Sequence, residues 1–231
     1  KPKIVISVLK KGRYGVNGNE LQLYDFYTAK ENNFHSRDIW LETLSPLGVV
    51  PKSNNYDLFY TEFQNKIAQD FINCFKENFL IGINLEGTVE GKKIEFDDLD
   101  KICKGLFEKH KNIKIIILSH PKKYHETKTK IACMNLKYVL TTYKTETILD
   151  LAALISKFDL IITPDTSITH IASAYNKPIV TIHENNPESF TLFAPTSSLS
   201  RTVFSKSKNS LKGFSINQLL PYCDELINKR Q

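Results

Sequence analysis

The sequence predicts an α/β protein built on a parallel, Rossmann-like sheet with helices on both faces. Three observations point there. From residue 61 onward, short apolar runs alternate with amphipathic stretches of helical length, the pattern of right-handed βαβ crossovers. The runs at 113–118 and 160–164 are apolar almost throughout, as strands covered on both sides must be. After Pro164, the residues Asp165, Thr166, Ser167 and Thr169 crowd the place where a helix should begin. Such side chains accept hydrogen bonds from the free amides of a first turn.

Taken in order, residues 4–9 read as a strand. Gly12, Gly15 and Gly18 follow at three-residue spacing. This is not the G-x-G-x-x-G spacing of a phosphate loop, and no helical pattern opens behind it, so it reads as a flexible loop. Residues 20–34 hold Tyr24, Phe26, Tyr27 and Phe34 without a clear period. Residues 36–47 read as a helix with Ile39, Trp40, Thr43, Leu44 and Leu47 on one face, stopped by Gly48. The polar, turn-rich residues 51–57 are the expected linker.

A helix over 61–77 follows, with Phe63, Ile67, Phe71 and Cys74 inward, then a strand at 79–85. The helix at 97–110 carries Leu99, Ile102, Cys103, Leu106 and Phe107 on its apolar stripe. A strand at 113–118, a polar helix at 122–134 and a strand at 136–140 come next. The helix at 145–157 turns Ile148, Leu151, Leu154 and Ile155 inward. The strand at 160–164, a short helix and a strand at 178–182 complete the regular part. Residues 184–213 read as irregular apart from a short strand at 202–204, and a helix over 216–229 closes the chain. There is no repeat of fixed period and no low-complexity segment. The expected division is 1–60 and 61–231.

Apolar residues make up 41% and charged residues 24%, as in ordinary soluble proteins, and no apolar run is long enough to cross a bilayer. Residues 1–3 lead straight into a strand-like run without a signal-peptide cleavage site. The single methionine is Met134, so a fragment or a processed chain is expected. The net charge of +6 favours anionic partners, although most lysines, including the pairs at 10–11, 92–93 and 122–123, read as solvated surface. Four widely spaced cysteines form no C-x-x-C pair. They read as buried free thiols in a reducing compartment rather than metal ligands or disulfides. No G-x-S-x-G elbow, Walker loop or H-E-x-x-H motif occurs, and aromatics are not interleaved with basic residues. Nucleic acid is therefore not an expected partner.

A helix start after a buried strand combines free amides with the positive end of a dipole, so residues 165–170 are where a phosphate or sugar is expected. Here the residues become specific. Asp165-Thr166-Ser167-Ile168-Thr169-His170-Ile171-Ala172, with Lys177-Pro178 opening the next strand, resembles the Asp-Thr-Gly-x-x-His-x-x-Ala-Ala motif of glycosyltransferase family 9, which includes the ADP-heptose:lipopolysaccharide heptosyltransferases. Upstream, Gly87-Thr88-Val89-Glu90-Gly91-Lys92-Lys93-Ile94 is similar to that family's Thr-containing loop ending in Lys-x-Trp-Pro. Residues 149–162, and the helix at 36–47 with Gly48, resemble further family elements. The likeness runs from about residue 36 to about residue 195.

The resemblance implies a GT-B architecture, two Rossmann-like domains facing across a cleft. Residues 61–231 would be the C-terminal nucleotide-sugar-binding domain, and 1–60 the tail of the N-terminal, acceptor-side domain. The family's glycine-rich turn with its Asp general base has no counterpart here, so the catalytic base is expected in a missing N-terminal region. The implied activity is inverting, metal-independent sugar transfer, most of all of heptose from an ADP-sugar, to a lipopolysaccharide or lipooligosaccharide core acceptor. No cofactor is implied beyond the nucleotide-diphosphate sugar, which is the donor substrate. The implied location is cytoplasmic, with peripheral contact at the inner face of the inner membrane.

The donor-binding residues implied by the motif match are Thr88, Lys92, Asp165, Thr166, Ser167 and His170. Thr88 and Lys92 would meet the diphosphate, where a cation offsets the charge that builds on the leaving nucleotide. Lys93 stands in if the register slips by one. Asp165 and His170 would approach the sugar and phosphate, with the backbone of Thr166 and Ser167 at the helix start. Asp165 also remains open as a plain helix cap. Ser167 replaces the family's Gly, and Ile94-Glu95 its Trp-Pro. His120-Pro121, Glu126 for a ribose and residues 143–147 for a base are further candidates. Two other readings stay open: a catalytically inactive nucleotide-binding or interaction module on the same fold, and another nucleotide-sugar enzyme such as an epimerase.

Overall fold

The computed structural model describes residues 2–8, 23–28, 34–87 and 91–230. The glycine loop at 12–18 and Thr88 lie outside them. The described residues fall into two compact units, one from Lys1–Asn55 and Pro187–Ala194, the other from Tyr56–Asn186 and Pro195–Gln231.

In the first unit, β1 (Ile6–Val8) and β2 (Phe26–Thr28) pair in parallel, with Ile6 opposite Phe26. The helix α1 (Ser36–Glu42) starts at His35, whose Nδ1 accepts the Arg37 N–H at 3.1 Å. The single helix expected over 36–47 is two pieces. It ends at Glu42, and a 3₁₀ turn over Ser45–Leu47 follows, because Pro46 cannot supply a helical N–H. Gly48 stops it at φ +72°, a left-handed conformation that glycine adopts at little cost.

The second unit opens with α2 (Glu62–Ile72), capped where the Thr61 N–H donates to Gln64 Oε1 at 2.8 Å. Its inward face is the expected one only in part: Phe71 packs against the core and Ile67 is half-buried. Phe63 is 71% exposed and Cys74 is exposed, while Ala68 is fully buried. The small Ala68 joins the alanines of a later helix in one core, and the helix gives way to a 3₁₀ turn at Asn73–Phe75 that takes Cys74 off the face. There follow β3 (Phe79–Asn84), α3 (Phe96–Lys109), β4 (Ile113–Leu118), α4 (Tyr124–Cys133), β5 (Val139–Thr141) and α5 (Ile148–Ile155). Then come β6 (Leu160–Pro164), α6 (Ser167–Ala174), β7 (Ile179–His183), α7 (Pro187–Phe193), β8 (Ser200–Phe204) and α8 (Ile216–Asn228). The helix α7, grouped with the first unit, lies in a stretch expected to be irregular. Its seven residues are too few to display a helical period.

The six parallel strands lie in the order β5-β4-β3-β6-β7-β8. The chain winds outward from β3 through β4 to β5, returns to β6 beside β3, and winds the other way. This is the doubly wound order, with its switch point between β3 and β6, where Ile83 pairs with Ile162. Alternate residues feed two cores. Ile81, Ile83, Ile115 and Ile117 pack under α3 and α8, whereas Leu80, Ile116 and Ile161 pack under α2, α5 and α6. Gly82 admits the Phe158 ring; a Cβ there would stand 2.5 Å from Phe158 Cδ2. The helix α5 begins three residues later than expected, because the Thr147 hydroxyl caps it by accepting the Asp150 N–H. Ile148 is 52% exposed, and Ala152, Ala153, Leu154 and Ile155 form the buried face. Of the cysteines, Cys103 and Cys223 are buried as expected; Cys74 and Cys133 are exposed, and all four are free. Among the described residues no helix is long and apolar enough to cross a membrane.

Candidate functional site

A cavity of about 630 Å³ opens over the carboxyl ends of β3, β4 and β6 in the second unit. That volume is within the usual span of small-molecule sites, roughly 300–1,000 Å³. One side is apolar, with Leu118, Pro121, Ile148 and Leu151; the other carries Lys92, Asp165, Thr166 and Ser167.

The polar side is built by two loops. After β3 the chain doubles back as a hairpin. Ile94 N–H donates to Leu85 O at 2.7 Å, Glu86 bridges Lys93, and Gly87 N–H donates to Lys92 O at 3.1 Å. Gly91 turns it at φ +88°. Gly87 rides so closely over the start of α6 that a Cβ on it would lie 2.7 Å from Thr166 Cγ2. This approach delivers Lys92. Its Nζ stands 2.6 Å from Asp165 Oδ2 and 3.8 Å from Glu184 Oε1, with all three side chains largely buried.

The second loop joins β6 to α6. Thr166, not Asp165, is the cap: its Oγ1 accepts the Ile168 N–H at 3.3 Å. Asn84 at the end of β3 steadies it, Nδ2 lying 3.1 Å from Thr163 Oγ1 and 3.2 Å from Thr166 Oγ1. With the cap supplied by Thr166, the Asp165 carboxylate is available to Lys92. Behind it, His183 is fully buried with Nδ1 4.0 Å from Asp165 Oδ2. Burial pushes the His183 imidazole down to about 4 despite the opposing pull of Asp165, so it is neutral at pH 7.

On the other side, Lys123 Nζ pairs with Glu86 Oε2 at 2.6 Å, which raises the lysine pKa. Thr145, Glu146 and Thr147 line the wall, and the Asp150 carboxylate ties them by accepting the N–H groups of Glu146 (2.9 Å) and Thr147 (2.8 Å).

The fold thus brings Lys92, Asp165, Thr166 and Ser167 onto one cavity from loops far apart in sequence. His120 and Pro121 line it, as do residues 145–147 of the expected base loop. His170 lies further along α6, away from the cavity lining, its Nδ1 3.4 Å from Tyr56 Oη and its ring edge-on to the tyrosine. Lys93 is half exposed and pairs with Glu95 at 3.0 Å. Glu126 is also exposed and pairs with Lys130; it does not line the cavity, because its position on α4 faces solvent. Sequence reasoning missed Asn84, Glu86, Lys123, His183 and Glu184. The signal for three of them is a polar residue at or just after the carboxyl end of an apolar strand: Asn84 on β3, His183 and Glu184 at β7.

Residues 38–222 match the model of glycosyltransferase family 9 (heptosyltransferase). The chain belongs to glycosyltransferase family 9. Among solved structures, this family 9 chain is similar to a family 9 glycosyl transferase from Veillonella parvula, at 20% identity over 90% of this chain and 64% of that one, with a TM-score of 0.73. It is also similar to the E. coli ADP-heptose lps heptosyltransferase II, at 16% identity over 78% of this chain and 56% of that one, TM-score 0.63. A third is E. coli heptosyltransferase WaaC with ADP, at 15% identity over 89% and 61%, TM-score 0.63. At such identities the likeness is one of fold. The chain spans less than two thirds of the length of each of these structures. No curated protein matches the sequence.

Proposed function

We propose that this chain carries the donor half of a glycosyltransferase and binds a nucleotide-diphosphate sugar in the cavity at the switch point. The supporting observation is the meeting of the Lys92 ammonium with the start of α6 at Asp165 and Thr166. As the bond between sugar and diphosphate breaks, negative charge grows on the departing oxygen. Lys92 has donors left beyond the one held by Asp165, and the first amides of α6 add the positive end of a helix dipole. Both act where that charge develops, which is how a fixed electrostatic environment lowers a barrier. In this reading the transfer is inverting and needs no metal. By the motif match Thr88 joins Lys92 at the diphosphate, and Asp165 bears on the sugar side; His170, set against Tyr56 away from the cavity lining, takes no part in this reading. The apolar wall of Leu118, Pro121, Ile148 and Leu151 takes the base.

Family membership and the heptosyltransferases among the similar structures favour heptose from an ADP-sugar as the group moved, and a lipopolysaccharide core as acceptor. The acceptor hydroxyl is deprotonated by a group on the acceptor side, and the protein works in the cytoplasm, touching the membrane face only peripherally.

Calorimetric titration with ADP tests this. Saturable binding is expected, weakened roughly 10- to 100-fold in Lys92→Ala, the span of a lost charged hydrogen bond. No binding, or binding indifferent to Lys92, would sink the proposal. Binding by a full-length protein that transfers no sugar would instead mark a nucleotide-binding module.

A further inference from the structure

Glu184 has no task in that reading, yet it is built into the same cluster. It follows directly on β7, its side chain is 13% exposed, and its Oε1 lies 3.8 Å from Lys92 Nζ. Asp165 already holds that ammonium at 2.6 Å, and the buried His183 beside it is neutral. The cluster therefore sets two carboxylates against one ammonium at the place where an anion is to bind. A surplus carboxylate weakens the hold on a diphosphate, so its presence asks for another part of the ligand that benefits from it.

The layout says which part. The apolar wall lies over β4 and at the start of α5, and Lys92 and Asp165 lie over β3 and β6. Glu184 stands just beyond the cavity lining, one strand further on at β7, joined to it through Lys92. A ligand with its base on the apolar wall and its diphosphate at Lys92 extends its sugar toward Glu184. Carboxylates accept hydrogen bonds and donate none, so Glu184 suits hydroxyl groups and opposes acidic ones.

Resting on the donor-site reading above, we propose that Glu184 is a specificity-determining residue. It accepts hydrogen bonds from the hydroxyls of an uncharged, polyhydroxylated sugar and excludes sugars bearing a carboxylate or phosphate.

The experiment titrates the full chain with ADP, ADP-mannose and the C6-carboxylate counterpart of ADP-mannose. All three share the diphosphate, so any effect of Glu184 through Lys92 cancels in the ratio of the two sugar affinities. The wild-type chain is expected to prefer the neutral sugar by on the order of tenfold, the scale of one like-charge contact in a half-buried site. Glu184→Gln should cut that preference at least about threefold while tightening ADP itself, since it keeps the shape and loses the charge. Glu184→Ala serves as the second variant and should cut the preference likewise. A preference that survives both substitutions overturns the role of Glu184 although ADP still binds. If ADP fails to bind the wild-type chain, the donor-site reading itself falls.

Discussion

Lys92 and Asp165 show how a ligand site and a stabilising contact can be one feature. Their side chains are 15% and 7% exposed, so the pair is held largely out of water. Removing one partner of such a pair leaves a buried charge, at a cost of roughly 3–5 kcal/mol when burial is complete. Lys92→Met should therefore lower stability by about 2 kcal/mol, and the double change with Asp165→Asn should recover most of it, read from urea midpoints. His183 gives a second prediction. Its pKa is about 4 in the folded chain against 6.5 ordinarily, so the unfolded chain takes up the proton first. Stability from this group is complete above pH 6.5 and is lost as pH falls toward 4, about 3 kcal/mol across the window. His183→Leu should flatten the fall in urea midpoint between pH 7 and pH 4.5; an unchanged profile would refute the assignment.

At the scale of elements, the hairpin after β3 and the start of α6 work as a pair only because Gly87 has no side chain. Gly87→Ala puts a Cβ 2.7 Å from Thr166 Cγ2, so the hairpin must lift and carry Lys92 with it. ADP affinity should fall about tenfold, with a loss of stability no larger than that of Lys92→Met, since the buried Lys92–Asp165 pair is loosened rather than removed. Gly82→Ala is the contrast. Its Cβ would collide with the buried Phe158 ring in mid-strand, which should cost about 1–3 kcal/mol by overpacking. Thermal unfolding alongside ADP titration separates the two. The hairpin was legible as a motif from Gly87 to Lys92, but its closeness to α6 was not, because that contact joins residues 79 apart along the chain.

At the scale of the molecule, the second unit contains both faces of the six-stranded sheet and, among the described residues, every one that lines the cavity. Among the described residues its cores draw on those from Leu58 onward. A chain of residues 56–231 should therefore unfold in one cooperative step and bind ADP with the affinity of the full chain, by circular dichroism and calorimetry. Loss of binding in that shortened chain would mean that residues before 56 help to form the site.

The amino-acid sequence alone determined the alternation of strand and helix, the parallel sheet and the two motifs, because each is written in near neighbours. Burial on both faces makes a strand apolar throughout, and free amides at a helix start draw Asp, Ser and Thr to that place. It also carried Lys92, Asp165, Thr166 and Ser167 as candidates. Only the tertiary structure decided that Lys92 closes on Asp165, that Thr166 frees Asp165 by taking the cap, and that His183 and Glu184 complete the cluster. Those meetings depend on β6 lying between β3 and β7, and strand order is set by the packing of the whole sheet rather than by any stretch of the chain.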